Sequence, residues 1–239
     1  MELDCLAITH EKKYYCVEGS HGNCYVKRSV TRDEWITNWK GEIVDPRMPM
    51  ERLKNEVAAI NFVRTHTNIP IPTVRAAFED RGCYYIITDE VPGVSLSQLP
   101  DAQKAMVIEE IERHLAVLRG ITSTTMGGFC GAACVPYRLA MALSPGELAA
   151  LTFKEDVPHE LVLCHNDLGQ HNVLVDEETL KITAIIDWEY AGFYPREFEA
   201  AFFKRRGPSA ALKGEEDDVP RLLTLLDDCV QKESASAGV

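Results

Sequence analysis

The chain has 239 residues, 46% of them apolar and 26% charged, the composition of an ordinary soluble globular protein and enough chain for one large domain or two small lobes around a cleft. Its net charge of −12 argues against a nucleic-acid binder, which needs a basic face, and disfavours docking on anionic membranes, while leaving cationic small molecules open as ligands. No apolar stretch approaches the ~20 residues of a membrane span, and Met1 to Asp4 has no basic region leading into an apolar run, so no signal peptide is expected and the cytoplasm is the expected compartment.

The first part of the chain alternates like strands. Leu3 to Ile8 reads as the first, Tyr14 to Val17 as the second and Cys24 to Lys27 as the third, with a turn-rich cluster from Gly19 to Asn23 between the last two. Strand alternation puts Tyr25 and Lys27 on one face. Residues 31–48 read as a short helix and a loop. A strong amphipathic helix follows from Pro49 to His66, with Met50, Leu53, Val57, Ile60 and Val63 at helical spacing. Pro49 suits its first turn, and Ile69-Pro70-Ile71-Pro72 forces extended backbone after it. Val74 to Glu79 and Tyr84 to Thr88 read as two more strands. Residues 1–90 thus form an expected small α+β lobe.

Asp89 to Gly93 reads as the crossover into a second lobe, residues 91–239, where the pattern turns helical. Asp101 is placed to cap a helix running to Arg119, with apolar positions at Met106, Ile108, Ile111, Leu115 and Leu118. Gly120 to Tyr137 is irregular and rich in small residues. A short helix from Pro145 to Leu151 leads to apolar strands at Leu161–Cys164, Val173–Val175 and Ile182–Ile186. Pro195 to Lys204 and Val219 to Lys232 read as helices, and the tail 233–239 as frayed. Eight cysteines are scattered through the chain, mostly beside apolar residues, as buried free thiols are. Cys130 and Cys134 sit four apart, but a zinc site needs two further ligands that no paired set supplies.

The chemistry concentrates in His165-Asn166-Asp167-Leu168-Gly169-Gln170-His171-Asn172, flanked on both sides by apolar runs, and in Ile185-Ile186-Asp187-Trp188-Glu189. A loop pinned between two buried strands is where polar groups can be held for catalysis. Asp187 ends an apolar strand fifteen residues after Asn172, so a hairpin of that length returns it close to Asn172. A carboxylate to orient and deprotonate a hydroxyl, plus an amide oxygen and a second carboxylate to hold magnesium, are what phosphoryl transfer from ATP needs.

From about Tyr25 to Glu199 the chain resembles the aminoglycoside phosphotransferase/choline kinase-like family, relatives of the protein kinases. The resemblance is most specific at His165–Asp176 and Ile185–Glu189, and extends to Val26-Lys27, Asn55-Glu56, Phe62-Val63-Arg64, Ile69-Pro70-Ile71-Pro72, Tyr85-Ile86-Ile87-Thr88 and Val91-Pro92-Gly93. It implies a bilobal α+β fold with a small antiparallel-sheet lobe and a mainly helical lobe. It implies an ATP- and Mg2+-dependent small-molecule kinase in which Asp167 is the base and Asn172 and Asp187 hold the metal. Lys27 would pair the α/β-phosphates, held by Glu56, and the backbone from Asp89 to Val91 would meet adenine. His165 would brace the loop.

Several assignments stay open on sequence alone. Arg28 competes with Lys27, and Glu51 with Glu56. Glu189 fits a second metal, the acceptor side, or a surface or structural role. Trp188, Tyr190, Phe193 and Tyr194 are candidates for an aromatic cage around a cationic acceptor, or for core. The turn expected to cover the phosphates, Thr9 to Lys12, has no glycine, and the segments either side of the catalytic loop are short. These departures favour the alternative of a kinase-like module that binds a nucleotide or a partner without turnover. The acceptor hydroxyl and the oligomeric state have no sequence signature.

Overall fold

The alternating first third forms one antiparallel sheet. The computed structural model describes residues 5–20 and 22–231. Leu3, Asp4, His21 and the tail expected to fray lie outside them. The strands are β1 (Cys5–Ile8), β2 (Lys12–Val17), β3 (Cys24–Ser29), β4 (Val74–Asp80) and β5 (Cys83–Asp89), in the order β1-β2-β3-β5-β4. Helix α1 (Pro49–His66) lies between β3 and β4 in the chain, with the bounds its proline signals predict. The expected short helix in 31–48 is one 3-10 turn, Arg32–Glu34.

That turn clamps the sheet. Glu34 accepts two hydrogen bonds from Arg28, at 2.7 Å each, and one from Lys13 at 2.7 Å. Arg28 above all, with Lys13 and the Thr31 amide, holds the Glu34 carboxyl well below its ordinary value of 4.5 against the opposing effect of burial. A carboxyl depressed in the folded state stabilises fully above its unfolded value and loses that contribution as pH falls below it. Glu34→Gln is therefore expected to lower unfolding stability by about 1–3 kcal/mol at neutral pH. The difference from wild type should shrink progressively below pH 4.5, as read by urea titrations at several pH values.

Beyond β5 come β6 (Val94–Ser95), α2 (Asp101–Arg119), β7 (Thr122–Ser123), β8 (Gly127–Gly128), α3 (Tyr137–Ala142) and α4 (Pro145–Ala149). Then follow β9 (Leu161–Cys164), β10 (Val173–Val175), β11 (Ile182–Ile185), β12 (Gly192–Pro195) and α5 (Val219–Cys229). Two small sheets, β11-β10-β6 and β7-β9-β12-β8, carry the loops of the motif. Pro100, not Asp101, is the residue before α2, and Asp101 instead pairs with Lys104 at 3.0 Å. The buried stripe of α2 runs through Val107, Ile111, Leu115 and Leu118, while Met106 is 62% exposed.

The helix expected over Pro195–Lys204 is two separate 3-10 turns, Arg196–Phe198 and Phe202–Lys204. Pro195 is taken by β12, which pairs with β9. Phe198 and Phe203 are both buried but five residues apart, a spacing a single α-helix face does not bury.

One core unites the two halves. Ala59, Ile60 and Val63 of α1 pack with Val107, Ile111 and Leu115 of α2 and with Val173, Val175, Ile182 and Ile185 of the β10–β11 hairpin. The motif loops are thus built on the same buried layer as α1. Among the described residues no helix is long and apolar enough to cross a membrane.

Candidate active site

Pairing in the sheet sets one face over a cavity. Tyr14 lies opposite Lys27, Lys27 opposite Ile86, and Tyr25 opposite Thr88, and directly opposed residues share a face. Tyr14, Tyr25, Lys27, Ile86 and Thr88 all line a cavity of about 420 Å³ whose other walls include Asp89–Gly93, Leu174 and Asp187. Asp89 is among the lining residues, and its carboxylate accepts from Arg75 at 2.5 and 2.7 Å. The Asp89 amide donates to Thr73 and the Glu90 amide to Asn23, both at 3.0 Å. Pro92 has no amide hydrogen, so Val91 and Gly93 carry the remaining backbone donors of this segment.

Lys27 stands where the two halves meet. Its ammonium donates to both Glu56 oxygens at 3.0 and 2.9 Å and to Asp187 at 2.8 Å. Arg28 alternates to the other face and clamps Glu34, so of the two it is Lys27 that lines the cavity. Glu56, not Glu51, faces the cavity, because α1 buries Arg52, Asn55 and Glu56 together with Leu53, Ile60 and Val63. That buried face differs from the expected apolar one: Met50 and Val57 are half-buried, and three polar residues take the side turned to the site.

Burial penalises the Lys27 charge, but Asp187 and then Glu56 overcome it and hold its pKa well above the ordinary lysine value. Burial likewise opposes ionisation of Asp187, and Lys27 followed by Lys12 outweighs it, keeping this carboxyl below the usual range. Glu56 is pushed up to about 7 by burial, with Asp187 and Glu189 adding to the shift against Lys27. One cation thus serves two carboxylates unequally.

The motif loop is held from several sides. Asn172 donates its amide to the Asp167 backbone oxygen at 2.8 Å and to Asp167 Oδ2 at 3.0 Å, which turns its own carbonyl oxygen the other way. Asp167 Oδ2 is thereby fixed on the loop. Burial pushes the Asp167 carboxyl up to about 7, with nearby Asp187 raising it further and the Ser209 hydroxyl and Asn172 opposing. His165 is fully buried, held near 4 by desolvation, and so neutral. Its Nδ1 accepts from the Asp167 amide at 3.3 Å, which leaves Nε2–H to donate to Ile186 O at 3.0 Å. His165 therefore ties the Asp167 loop to the strand end that carries Asp187. Asp187 itself has φ +65°, a left-handed backbone that turns the chain sharply after β11.

A sequence model of the phosphotransferase enzyme family matches residues 13–221. The chain belongs to the phosphotransferase enzyme family. It is 26% identical over 165 residues to an aminoglycoside 3'-phosphotransferase of Streptomyces ribosidificus, covering 60% of this chain and 62% of that protein. It is 26% identical over 184 residues to the Streptomyces fradiae counterpart, 68% of each. A stretch of 42 residues is 50% identical to probable choline kinase 3 of Arabidopsis thaliana, 18% of this chain and 12% of that one. The chain therefore spans 62% of the length of the first of these relatives. Among solved structures, aminoglycoside phosphotransferase APH(4)-Ia matches with a TM-score of 0.55 at 19% identity, over 82% of this chain and 68% of that one. This likeness establishes the bilobal protein kinase-like fold. A mutant of that enzyme was solved as a ternary complex with AMP-PNP and hygromycin B.

In this phosphotransferase-family chain the glycine-free turn closes over an ion-pair network. The Lys12 ammonium bonds Glu189, Arg52 bonds Glu189 at 3.0 Å and the Tyr190 hydroxyl, and Glu11 pairs with Arg52 at 2.6 Å. Glu189 is 4% exposed, so it is not a surface residue. Carboxylate oxygens of Glu56, Asp187 and Glu189 lie within 4.8 Å of one another.

The candidate aromatic cage does not assemble. Trp188 is fully buried, donates to Ile185 O at 2.9 Å and packs on His165. Tyr194 stacks on Phe198 in the core, and Phe193 meets Phe62 and Phe129. Phe193 and Tyr194 point to opposite faces of β12 and Trp188 sits in the 3-10 turn before it, so these rings do not converge on one point.

Two supports had no role assigned to them from sequence. Glu199 accepts hydrogen bonds from the backbone amides of His165 and Asn166, the latter at 2.9 Å, and anchors the loop from below. Asn55, fully buried, donates to Glu189 O at 3.0 Å and Ala191 O at 2.8 Å and accepts from the Phe129 amide at 2.6 Å. Gly128 permits this approach, since a Cβ there would lie 2.6 Å from Asn55 Oδ1. Asn55→Ala strands these buried groups and is expected to cost about 1–3 kcal/mol per unpaired group in denaturant unfolding.

Proposed function

We propose that this protein transfers the terminal phosphoryl group of ATP to a hydroxyl of a small molecule. The observation that carries the reading is the meeting of three groups from distant segments. Lys27 and Asp187 stand 2.8 Å apart at the wall of a cavity of about 420 Å³, and His165 ties the Asp167 backbone to that of Ile186, the residue before Asp187.

In this reading residues 1–90 hold the nucleotide and residues 91–239 carry the base and the acceptor. The Asp89 carbonyl and the Val91 amide meet the adenine edge, while Lys27, positioned by Glu56, meets the α/β-phosphates. Asp187 and the outward-facing oxygen of Asn172 form an all-oxygen donor set of the kind that suits Mg2+, with Glu189 at hand as a further carboxylate. When bound, Mg2+ neutralises phosphate charge that would otherwise repel these carboxylates. Asp167 accepts the hydroxyl proton, and Asn172 fixes the oxygen that does so.

The test is an ATP-turnover screen with and without Mg2+ across aminoalcohols, sugars and aminoglycosides, with Asp167→Ala as the control. Mg2+-dependent turnover lost in the variant supports the reading. Nucleotide binding with equal background turnover in both proteins would favour a binding module instead. The docked glycine-free turn, Glu11 on Arg52 and Lys12 on Glu189, is what keeps that second reading in play.

A further inference from the structure

The turn from Thr9 to Lys12 uses its backbone donors on itself. The Thr9 amide donates to Lys12 O at 2.9 Å, and the Glu11 and Lys12 amides donate to Thr9 Oγ1 at 3.2 and 2.9 Å. Among the described residues, only the His10 amide of this turn meets no acceptor. A turn that cradles phosphate through its backbone needs several amides pointing outward. What this turn presents instead is a side chain, Lys12, at the start of β2.

Sheet register places that side chain. Lys12 lies opposite Ser29 and Tyr14 opposite Lys27, in one unbroken pairing. Lys12 therefore shares the cavity face with Tyr14 and Lys27, while Lys13 alternates to the other face and pairs with Glu34. Along β3, Cys24 stands beside Asp89, Lys27 follows, and Ser29 comes next on the same face. Lys12 is thus one same-face step beyond Lys27, about 6–7 Å, on the side away from the Asp89–Val91 segment.

The two lysines differ in how far they are satisfied. An ammonium carries three donors, and Lys27 places all three on Glu56 and Asp187. Lys12 is 3% exposed, yet Glu189 is the one acceptor its ammonium meets among the described residues. Glu189 also keeps Arg52 at 3.0 Å, so it retains a counter-ion when Lys12 turns to another anion. The Glu189 carboxylate comes within 4.8 Å of those of Glu56 and Asp187, which puts Lys12 at the edge of the Lys27 cluster.

We propose that Lys12 is a second phosphate-binding lysine, which meets the terminal phosphate of the nucleotide while Lys27 meets the α/β-phosphates; this rests on the phosphotransfer reading and extends it. Two lysines one step apart on one sheet face follow a triphosphate running away from the adenine edge. The side chain of Lys12 supplies the positive charge that the inward-turned amides of its own turn do not.

The experiment measures AMP-PNP and ADP binding, each with Mg2+, to the full chain and to Lys12→Met by calorimetry. A charge-assisted bond confined to the terminal phosphate predicts that the variant loses AMP-PNP affinity roughly 10- to 100-fold and ADP affinity little. Lys12→Arg, which keeps the charge, should recover part of the preference for AMP-PNP. A second measurement needs no variant to fold. An acyl phosphate of ATP, which delivers its acyl group to an amine beside the terminal phosphate, should acylate Lys12 and spare Lys13, as mapped by mass spectrometry, and excess AMP-PNP should suppress the labelling. Equal loss of both nucleotides in Lys12→Met, an unchanged affinity for both, or acylation of Lys27 without Lys12 overturns the role of Lys12 and leaves the phosphotransfer reading standing. A wild-type chain that binds neither nucleotide overturns both.

Discussion

Asp167→Asn is expected to lower phosphotransfer kcat by about 10²–10⁴-fold while leaving nucleotide affinity nearly unchanged. The asparagine keeps the shape of the side chain and can still accept the Asn172 amide through its carbonyl, so the loop retains its hydrogen bonds. What it loses is the ability to take a proton. Folding should not suffer. The Asp167 carboxyl is raised to about 7 in the folded chain, so at higher pH its ionised form is a burden on the native state, and a neutral isostere removes that burden. The expected signature is therefore a variant at least as stable as wild type, binding nucleotide normally and turning it over slowly. Initial rates, a nucleotide-binding titration and a thermal melt on one preparation separate these three quantities. Unchanged turnover would remove Asp167 from the chemistry and sink the proposed base.

The sequence made one class of feature legible and concealed another. Helix α1 was readable to its ends because Pro49 opens it and Ile69-Pro70 stops the chain soon after; both are local backbone constraints. That Lys27 and Arg28 face opposite ways was readable from strand alternation, but which of them meets the cavity was not. The motif loop was readable because apolar runs pin both its sides. By contrast, Glu199 reaches back 34 residues to His165, Arg52 reaches 137 to Glu189, and Lys12 reaches 177 to the same carboxylate. Periodicity carries no record of such pairings. It placed Leu53, Ile60 and Val63 on the buried face of α1 but missed Arg52, Asn55 and Glu56, which a hydrophobic pattern counts as solvent-facing. The helix expected at Pro195–Lys204 failed for a related reason. Its first residue is claimed by pairing with β9, and its Glu199 is claimed by the loop amides, neither of which is local.

Lys27→Met carries the second large effect, and it should appear in stability as well as in catalysis. The ammonium is the shared partner of Glu56 and Asp187, whose side chains are 7% and 25% exposed. Removing the cation while keeping its stem leaves two carboxylates facing one another with Glu189 close by. Loss of one partner from a buried ionic group costs about 3–5 kcal/mol, because the remaining charge cannot recover its hydration. Part of that cost is relieved by protonation, and Glu56 is the group to take the proton, since its carboxyl already stands near 7 in the presence of Lys27. Glu56→Gln supplies the same neutrality by mutation. The double variant Lys27→Met/Glu56→Gln is thus expected to be less destabilised than the two single changes summed, by roughly 0.5–3 kcal/mol. Urea unfolding of the four proteins closes this cycle. Strict additivity would mean that the ammonium does not hold Glu56, and the link from α1 to Lys27 would fall with it. Nucleotide affinity provides the complementary measurement: Lys27→Met should weaken it in both backgrounds, because the double variant restores electrical balance without restoring a positive charge to meet phosphate.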